Sequence, residues 1–249
     1  MQRYFLDEPI EDGVVRIVGS DASHISRVMR MEPGDEIICC GPDGRCAICT
    51  IREVSADVVT TATQSSIEES TELPVHVTIA QGLPKGDKMD LIVQKGTELG
   101  ATSFLPFEAG RSIVKWDEKK KQKKTERLRK IAKEAAEQSH RNRVPNVEIP
   151  VSFKNLLSLG RDYDVKLIAY EEEAKAGEGT AFSNMLRETR AGASILLIIG
   201  PEGGLTGGEV STLKEEGFVS CGLGPRILRT ETAALYALAA ISYHFELLG

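Results

Sequence analysis

The chain has 249 residues, 41% hydrophobic and 27% charged, enough for one large domain or for a small and a medium one with separate cores. No stretch approaches the length that spans a bilayer, and the start, MQRYFLDEPI, lacks the apolar core of a signal peptide, so a cytoplasmic location is expected. A formal net charge of −6 speaks against nucleic-acid binding by the chain as a whole, yet residues 115–143 carry twelve Lys and Arg against five Asp and Glu, which makes this segment +7 and the remainder −13.

Residues 1–67 read as β structure: GVVRIVG, DEIICC, RCAICTIREV and DVVTTAT are short apolar runs separated by the turn signals EDG, EPGD and GPDG. SDASHISRVMRM interrupts them with helical spacing, which brings His24, Arg27 and Arg30 within a turn or two of one another. A small barrel-like domain with one short helix is the expectation. CCGPDGRCAIC holds Cys39, Cys40, Cys46 and Cys49 and superficially suggests a metal knuckle. Side chains three apart on a strand face opposite ways, so Cys46 and Cys49 do not share an ion, and no metal is expected. Five cysteines, an odd number in a chain without an export signal, point to reduced thiols. SSIEESTEL, ending at Pro74, reads as a linker.

From Val75 the pattern changes to strands alternating with helices. VHVTIA is followed by DKMDLIVQKGTEL, SFLPF and a basic helix; later come DVKLIAY, FSNMLRET, SILLIIG, GGEVSTLKEEG, FVSCGLG and an apolar final helix. Such alternation predicts a mostly parallel sheet covered on both faces, with ligands bound beyond the carboxyl ends of its strands. Within the basic segment KWDEKKKQKK reads as a solvated loop. TERLRKIAKEAAEQSHRNR instead places Leu128, Ile131, Ala132, Ala135 and Ala136 on one helical face with Arg127, Lys130 and Lys133 outside. Solvated charge and RNA phosphate binding both account for that face.

Two stretches carry the chemistry. SILLIIGPEGGLTGGEV is an apolar strand, a glycine-rich loop and a helix start at which Thr206 and Glu209 are spaced as a capping box. Glycines at 200, 203 and 204 permit close backbone approach to a ligand. No Lys-Ser/Thr follows, and Glu202 stands where a phosphate would sit, so the loop suits a ligand with cationic character; a plain tight turn is the alternative. FVSCGLGPRILRTETAALYALAAI repeats the arrangement. Its helix is apolar on nearly every face, its first turn holds Glu231, and Arg226 and Arg229 stand at the positive end of the helix dipole, where a guanidinium awaits an anion or a ligand oxygen.

IIGPEGGLTGGEV and LGPRILRTETAALYA, with PKGDKMDLIVQKGTELG, RSIVK, EAAEQSHRNRVP and HISRVMRMEPGD, closely resemble the ribosomal RNA small subunit methyltransferase E family, of the SPOUT class, in order along essentially the whole chain. The resemblance implies an α/β fold: a PUA-like β-barrel over 1–70 that binds RNA, and a methyltransferase domain over 71–249 with a deep trefoil knot. It also implies a homodimer, S-adenosylmethionine as methyl donor, and methylation of N3 of a uridine in 16S rRNA, within the 30S subunit. Periodicity carries no sign of a knot, and the general avoidance of threading argues against one. The donor is expected on Tyr170, Glu171, Ile199, Gly200, Pro201, Glu202, Gly203, Gly204, Leu223, Gly224, Leu228, Thr230 and Ala233. Arg229 and Glu231 are expected to be catalytic. RNA is expected on Arg3, His24, Arg27, Arg30, Lys85, Lys115, Lys130, Lys133 and Arg141. The same basic faces would also serve a non-enzymatic ribosome assembly factor whose glycine loops are only turns.

Overall fold

The computed structural model describes residues 1–10, 13–170 and 180–248, and the chain divides into two compact units. The first comprises Met1–Glu72 and Ala136–Val144, so 136–144, expected in the second domain, packs with the N-terminal unit. It is built on strands β1 (Arg3–Phe5), β2 (Val14–Val18), β3 (Glu36–Cys40), β4 (Cys46–Val54) and β5 (Val58–Ile67), in the order β1-β3-β4-β5-β2. Period-two alternation sends Val15 and Ile17 of β2 inward, and Val14, Arg16 and Val18 to solvent. Helix α1 (Gly19–Ser23) runs on into a wider π-type turn over His24–Met29, and its Ala22 and Ile25 close the core with Ile37, Ile51 and Val59. β5 extends to Ile67 and so absorbs the first residues of the expected linker.

The cysteines correct one expectation. The β3–β4 register sets Cys40 directly opposite Cys46, with their Cα atoms 4.1 Å apart, and the two form a disulfide. Cys39 and Cys49 face the opposite side of the hairpin, inside the core, as free thiols. The odd count concealed a pair that the tight GPDG turn brings together.

Arg3 and Arg141 correct another. Glu72 accepts hydrogen bonds from the Arg141 guanidinium and from the backbone N–H groups of Asn142 (2.9 Å) and Arg143 (3.2 Å), while Arg3 donates to the Arg141 carbonyl. Both arginines are buried, at 7% and 3% exposure, so they hold this unit together and present no charge to RNA phosphates.

The second unit, Leu73–Ala135 and Pro145–Gly249, contains β6 (His76–Gly82), α2 (Lys88–Glu98), β7 (Ser103–Glu108), α3 (Glu118–Gln138, to Ala135 in this unit), β8 (Asn146–Val147), β9 (Val151–Ser152) and α4 (Phe153–Leu159). β10 (Val165–Ala169), α5 (Thr180–Glu188), β11 (Ser194–Ile199), α6 (Gly207–Glu215), β12 (Val219–Cys221) and α7 (Thr230–Ser242) follow. The strands run β12-β10-β11-β6-β7-β8, with β9 beside β7, and every pairing is parallel. Ile195–Ile199 is buried without interruption, as a strand covered on both faces requires. Leu105, Phe107, Ile168, Leu196 and Ile198 pack with Leu156 of α4 and Leu213 of α6. Phe104 lies against Gly96 of α2, where any Cβ would come within 2.7 Å of its ring, so glycine in mid-helix is a packing requirement. α3 begins at Glu118 and takes in most of the expected solvated loop: Lys, Glu and Gln are good helix formers, and Lys121 pairs with Glu108 and Glu118, offsetting part of the like-charge repulsion. Among the described residues no helix is long and apolar enough to cross a membrane.

Candidate active site

Strands β10 and β11 end side by side at Ala169 and Ile199, with Cys221 of β12 beside Ala169, and the loops 200–204 and 223–230 line a cavity of about 640 Å³ near these ends. The first loop, 200–204, follows β11. A Cβ on Gly200 would lie 2.9 Å from the backbone of Gly204 and Leu205, so the loop folds back on itself only because residue 200 is glycine. Gly204 adopts φ +69°, whereas Gly203 stays outside the left-handed region and is restricted by Arg111, whose guanidinium donates to the Gly203 carbonyl at 3.1 Å. The loop ends in the expected capping box, with Thr206 and Glu209 bonded reciprocally.

The second loop, 223–230, leads into α7. Arg229 is the N-cap residue, and its carbonyl accepts the first helical bond from Ala233 at 2.8 Å. Its side chain and that of Arg226 are exposed on the cavity wall with no ion-pair partner among the described residues. Thr230 turns inward and donates to the Gly200 carbonyl at 2.6 Å, joining the two loops.

The segment 81–88, running from the end of β6 into α2, fastens both loops. Gln81, fully buried, donates from Nε2 to Thr230 Oγ1 at 2.8 Å and to the Gly82 carbonyl at 2.9 Å, with a longer contact to the Gly200 carbonyl at 3.4 Å. Gly82 lies against Pro201 so closely that a Cβ would stand 2.6 Å from its Cδ. The Lys85 N–H donates to Glu202 at 3.1 Å. Lys88 then reaches two carboxylates, Glu202 at 2.8 Å and Glu231 at 3.2 Å. Its hydrogen bond to Glu202, reinforced by Glu231, raises the lysine above its usual value. Partial burial opposes ionisation of Glu202, but Lys88 and nearby backbone N–H groups outweigh it and hold the carboxyl below its usual range. Glu231 Oε2 is buried with Lys88 as charge partner and no aligned hydrogen bond.

Of the residues expected to hold the donor, Tyr170, Ile199, Gly200, Pro201, Glu202, Gly203, Gly204, Leu223, Leu228, Thr230 and Ala233 line this one cavity. Gly224 stands outside the wall with φ +91°, a turn residue, and Glu171 lies outside the described residues. Arg229 lines the cavity, and Glu231 stands behind it through Lys88. Nothing local in the sequence assigns Lys88, Arg111 or Gln81 to the site. The one signal available for Gln81 was an amide closing the otherwise apolar run VHVTIAQ.

The basic residues sort by exposure. Arg27 and Arg30 are exposed, and beside them His24 is partly buried, its Nδ1 3.1 Å from the Tyr4 hydroxyl. Lys85, Lys115 and Lys130 are exposed, Lys130 with Glu134 at 3.7 Å, and Lys133 is half-buried.

A model of the RNA methyltransferase domain matches residues 71–242, and a model of the RNA methyltransferase PUA domain matches 18–60. With a glycine-walled cavity at the carboxyl ends of a parallel sheet, these define the class as RNA methyltransferase. The chain is 54% identical over 252 residues to ribosomal RNA small subunit methyltransferase E of Bacillus subtilis, covering 100% of this chain and 98% of that protein. A crystal structure of the Neisseria gonorrhoeae protein of the same name, bound to S-adenosyl methionine, matches with TM-score 0.84 at 31% identity over 97% of each chain. A crystal structure described as a hypothetical protein matches with TM-score 0.93 at 52% identity over the full length of both. The chain belongs to the ribosomal RNA small subunit methyltransferase E family.

Proposed function

We propose that this protein transfers a methyl group from S-adenosylmethionine to N3 of a uridine in 16S rRNA, acting on the 30S subunit as a cytoplasmic homodimer whose catalytic domain is knotted through the 200–204 and 223–230 loops. The observation that carries this reading is the convergence of both glycine-bearing loops on one cavity lined also by Lys88 and Glu202, with Glu231 behind the wall on Lys88.

The residues present fit the donor. Gly200 leaves bare backbone at the wall where a Cβ would collide, and Tyr170, Ile199 and Leu223 supply apolar surface. Two carboxylates against one lysine leave the cluster a net negative charge, suited to a cation. When bound, the donor supplies an electrophilic methyl on a sulfonium. The remaining chemistry falls to the protein. N3 of uracil carries a proton between two carbonyls, so that proton must leave as negative charge spreads onto O2 and O4. Arg229, exposed and without an ion pair among the described residues, offers a planar fork of N–H donors to that charge. Glu231 is the proposed proton acceptor. His24, Arg27, Arg30, Lys85, Lys115, Lys130 and Lys133 hold RNA phosphates.

Single-turnover methylation of isolated 30S particles at saturating donor tests this. The Arg229→Ala protein is expected to bind donor normally and transfer about 10² to 10³ times more slowly, the scale of losing one preorganised donor to a developing oxyanion. A rate within threefold of the unmodified protein refutes the role of Arg229. Particle binding without any methyl transfer would make the protein an assembly factor instead.

A further inference from the structure

Lys88 stands apart from the other cations of the site. Arg226 and Arg229 face the cavity without counter-ions among the described residues, whereas Lys88 is shared by two carboxylates on different loops, Glu202 after β11 and Glu231 in the first turn of α7. Taken alone, Glu202 and Glu231 would give this corner two negative charges; with Lys88 they give one. The buried Oε2 of Glu231 has Lys88 as its charge partner at 3.2 Å, so removing the lysine would leave both carboxylates without that cation.

Methyl transfer changes the charge of what the cavity holds. S-adenosylmethionine carries an ammonium, a carboxylate and a sulfonium, a net +1. The S–CH₃ bond breaks as the N3–CH₃ bond forms, the sulfur keeps the bonding pair, and the product S-adenosylhomocysteine is net neutral. A negative corner of the cavity therefore favours donor over product, and the size of that preference depends on how much carboxylate charge is left uncompensated.

We propose that Lys88 sets this preference, acting as a positioning residue that limits the negative charge facing the donor and keeps the two carboxylate-bearing loops together. The inference rests on the donor assignment made above. Too little compensation would be harmful in a definite way. Carboxylates that hold the sulfonium tightly stabilise a charge that is disappearing in the transition state, which strengthens donor binding and slows transfer. They also oppose the negative charge that must develop on the uracil.

Titration calorimetry of the full-length protein with S-adenosylmethionine and with S-adenosylhomocysteine separates this role from simple loop fastening. One charge acting over roughly 10 Å in a half-wetted site changes a binding constant by about three- to tenfold. For Lys88→Met the ratio of product Kd to donor Kd is expected to rise by that factor, and single-turnover transfer to 30S particles to slow at saturating donor. Lys88→Arg restores both. Glu202→Gln supplies an opposite shift, a ratio lowered by a similar factor, and so keeps the inference testable even where Lys88→Met fails to fold. Equal loss of affinity for both ligands, or an unchanged ratio in Lys88→Met and Glu202→Gln, overturns the inference and leaves the donor site standing. An unmodified protein that binds neither ligand removes the donor assignment, and this inference with it.

Discussion

Replacing Gln81 with methionine keeps the length of the side chain and removes both of its polar ends. The amide nitrogen makes two good hydrogen bonds, at 2.8 and 2.9 Å, and one stretched contact at 3.4 Å. A net contribution of about 0.5–1.5 kcal/mol per bond sets the loss at about 1–3 kcal/mol. Some of this is returned, because Gln81 Oε1 is buried with no partner and its removal relieves a desolvation cost of about 1 kcal/mol. Thr230 keeps its own bond to the Gly200 carbonyl, so that acceptor is not orphaned. The expected net destabilisation is up to about 2 kcal/mol, read as a shift in the urea midpoint at unchanged slope. The same substitution frees the wall formed by Gly200 and Thr230, and ordering it again on binding should weaken donor affinity by roughly fivefold, equivalent to about 1 kcal/mol. A Gln81→Met protein as stable as the unmodified one, with undiminished donor affinity, would show that the buried amide does not connect the two loops energetically.

Gly200→Ala is expected to lower donor affinity at least tenfold while circular dichroism stays native, because its Cβ meets only backbone at 2.9–3.0 Å; Gly203→Ala, facing Arg111 at 3.1 Å without a positive φ, should lose far less, and the order of the two affinities in calorimetry is the check. Lys130→Gln is expected to reduce the slope of log K against log salt for rRNA binding by about 0.7–0.9, and an unchanged slope would return this face of α3 to solvated charge. Reduction of Cys40–Cys46 opens a crosslink of sequence separation 6 and is expected to cost about 2 kcal/mol in urea unfolding with and without reductant; identical midpoints, with both thiols already open to alkylation, would mean that the pair is reduced in solution.

Much of the cavity wall was legible because its signals are local. A buried strand, a glycine-rich turn and a capping box lie within seventeen residues of SILLIIGPEGGLTGGEV, and the structure keeps all three. The direction of α3's buried face followed from its period in the same way, with Leu128, Ala132, Ala135 and Ala136 inside. What local pattern cannot carry is pairing across the chain. Lys85 and Glu202 are 117 residues apart and meet because β6 lies next to β11 in the sheet. Arg111 reaches Gly203 over a separation of 92. Arg141 looked like one more cation in a basic run until Glu72, 69 residues earlier, enclosed it. The start of α3 departs from its sequence expectation for a different reason: repeated lysines suggest a solvated coil, but helix propensity and pairing with acidic neighbours offset the repulsion.

Charge is distributed across this site according to what each side must bind. The corner fastened by 81–88 has carboxylates in excess, and the mouth of α7 has guanidiniums without ion-pair partners among the described residues. In the proposed transfer, the positive charge of the donor and the negative charge of a deprotonated uridine cancel, so neither corner would stabilise the transition state more than a fully charged pair of reactants. In the proposed reaction the leverage of Arg229 comes one step earlier, since a neutral uridine would give up its N3 proton more readily beside a guanidinium that is never itself deprotonated. Lysine at that position would match the charge without the fork, and at the N-cap of an apolar helix, where the dipole already disfavours a cation, geometry has to make up what position costs. That is a physical reason for the arginine at this point of the chain, with the lysine kept on the opposite wall between two carboxylates.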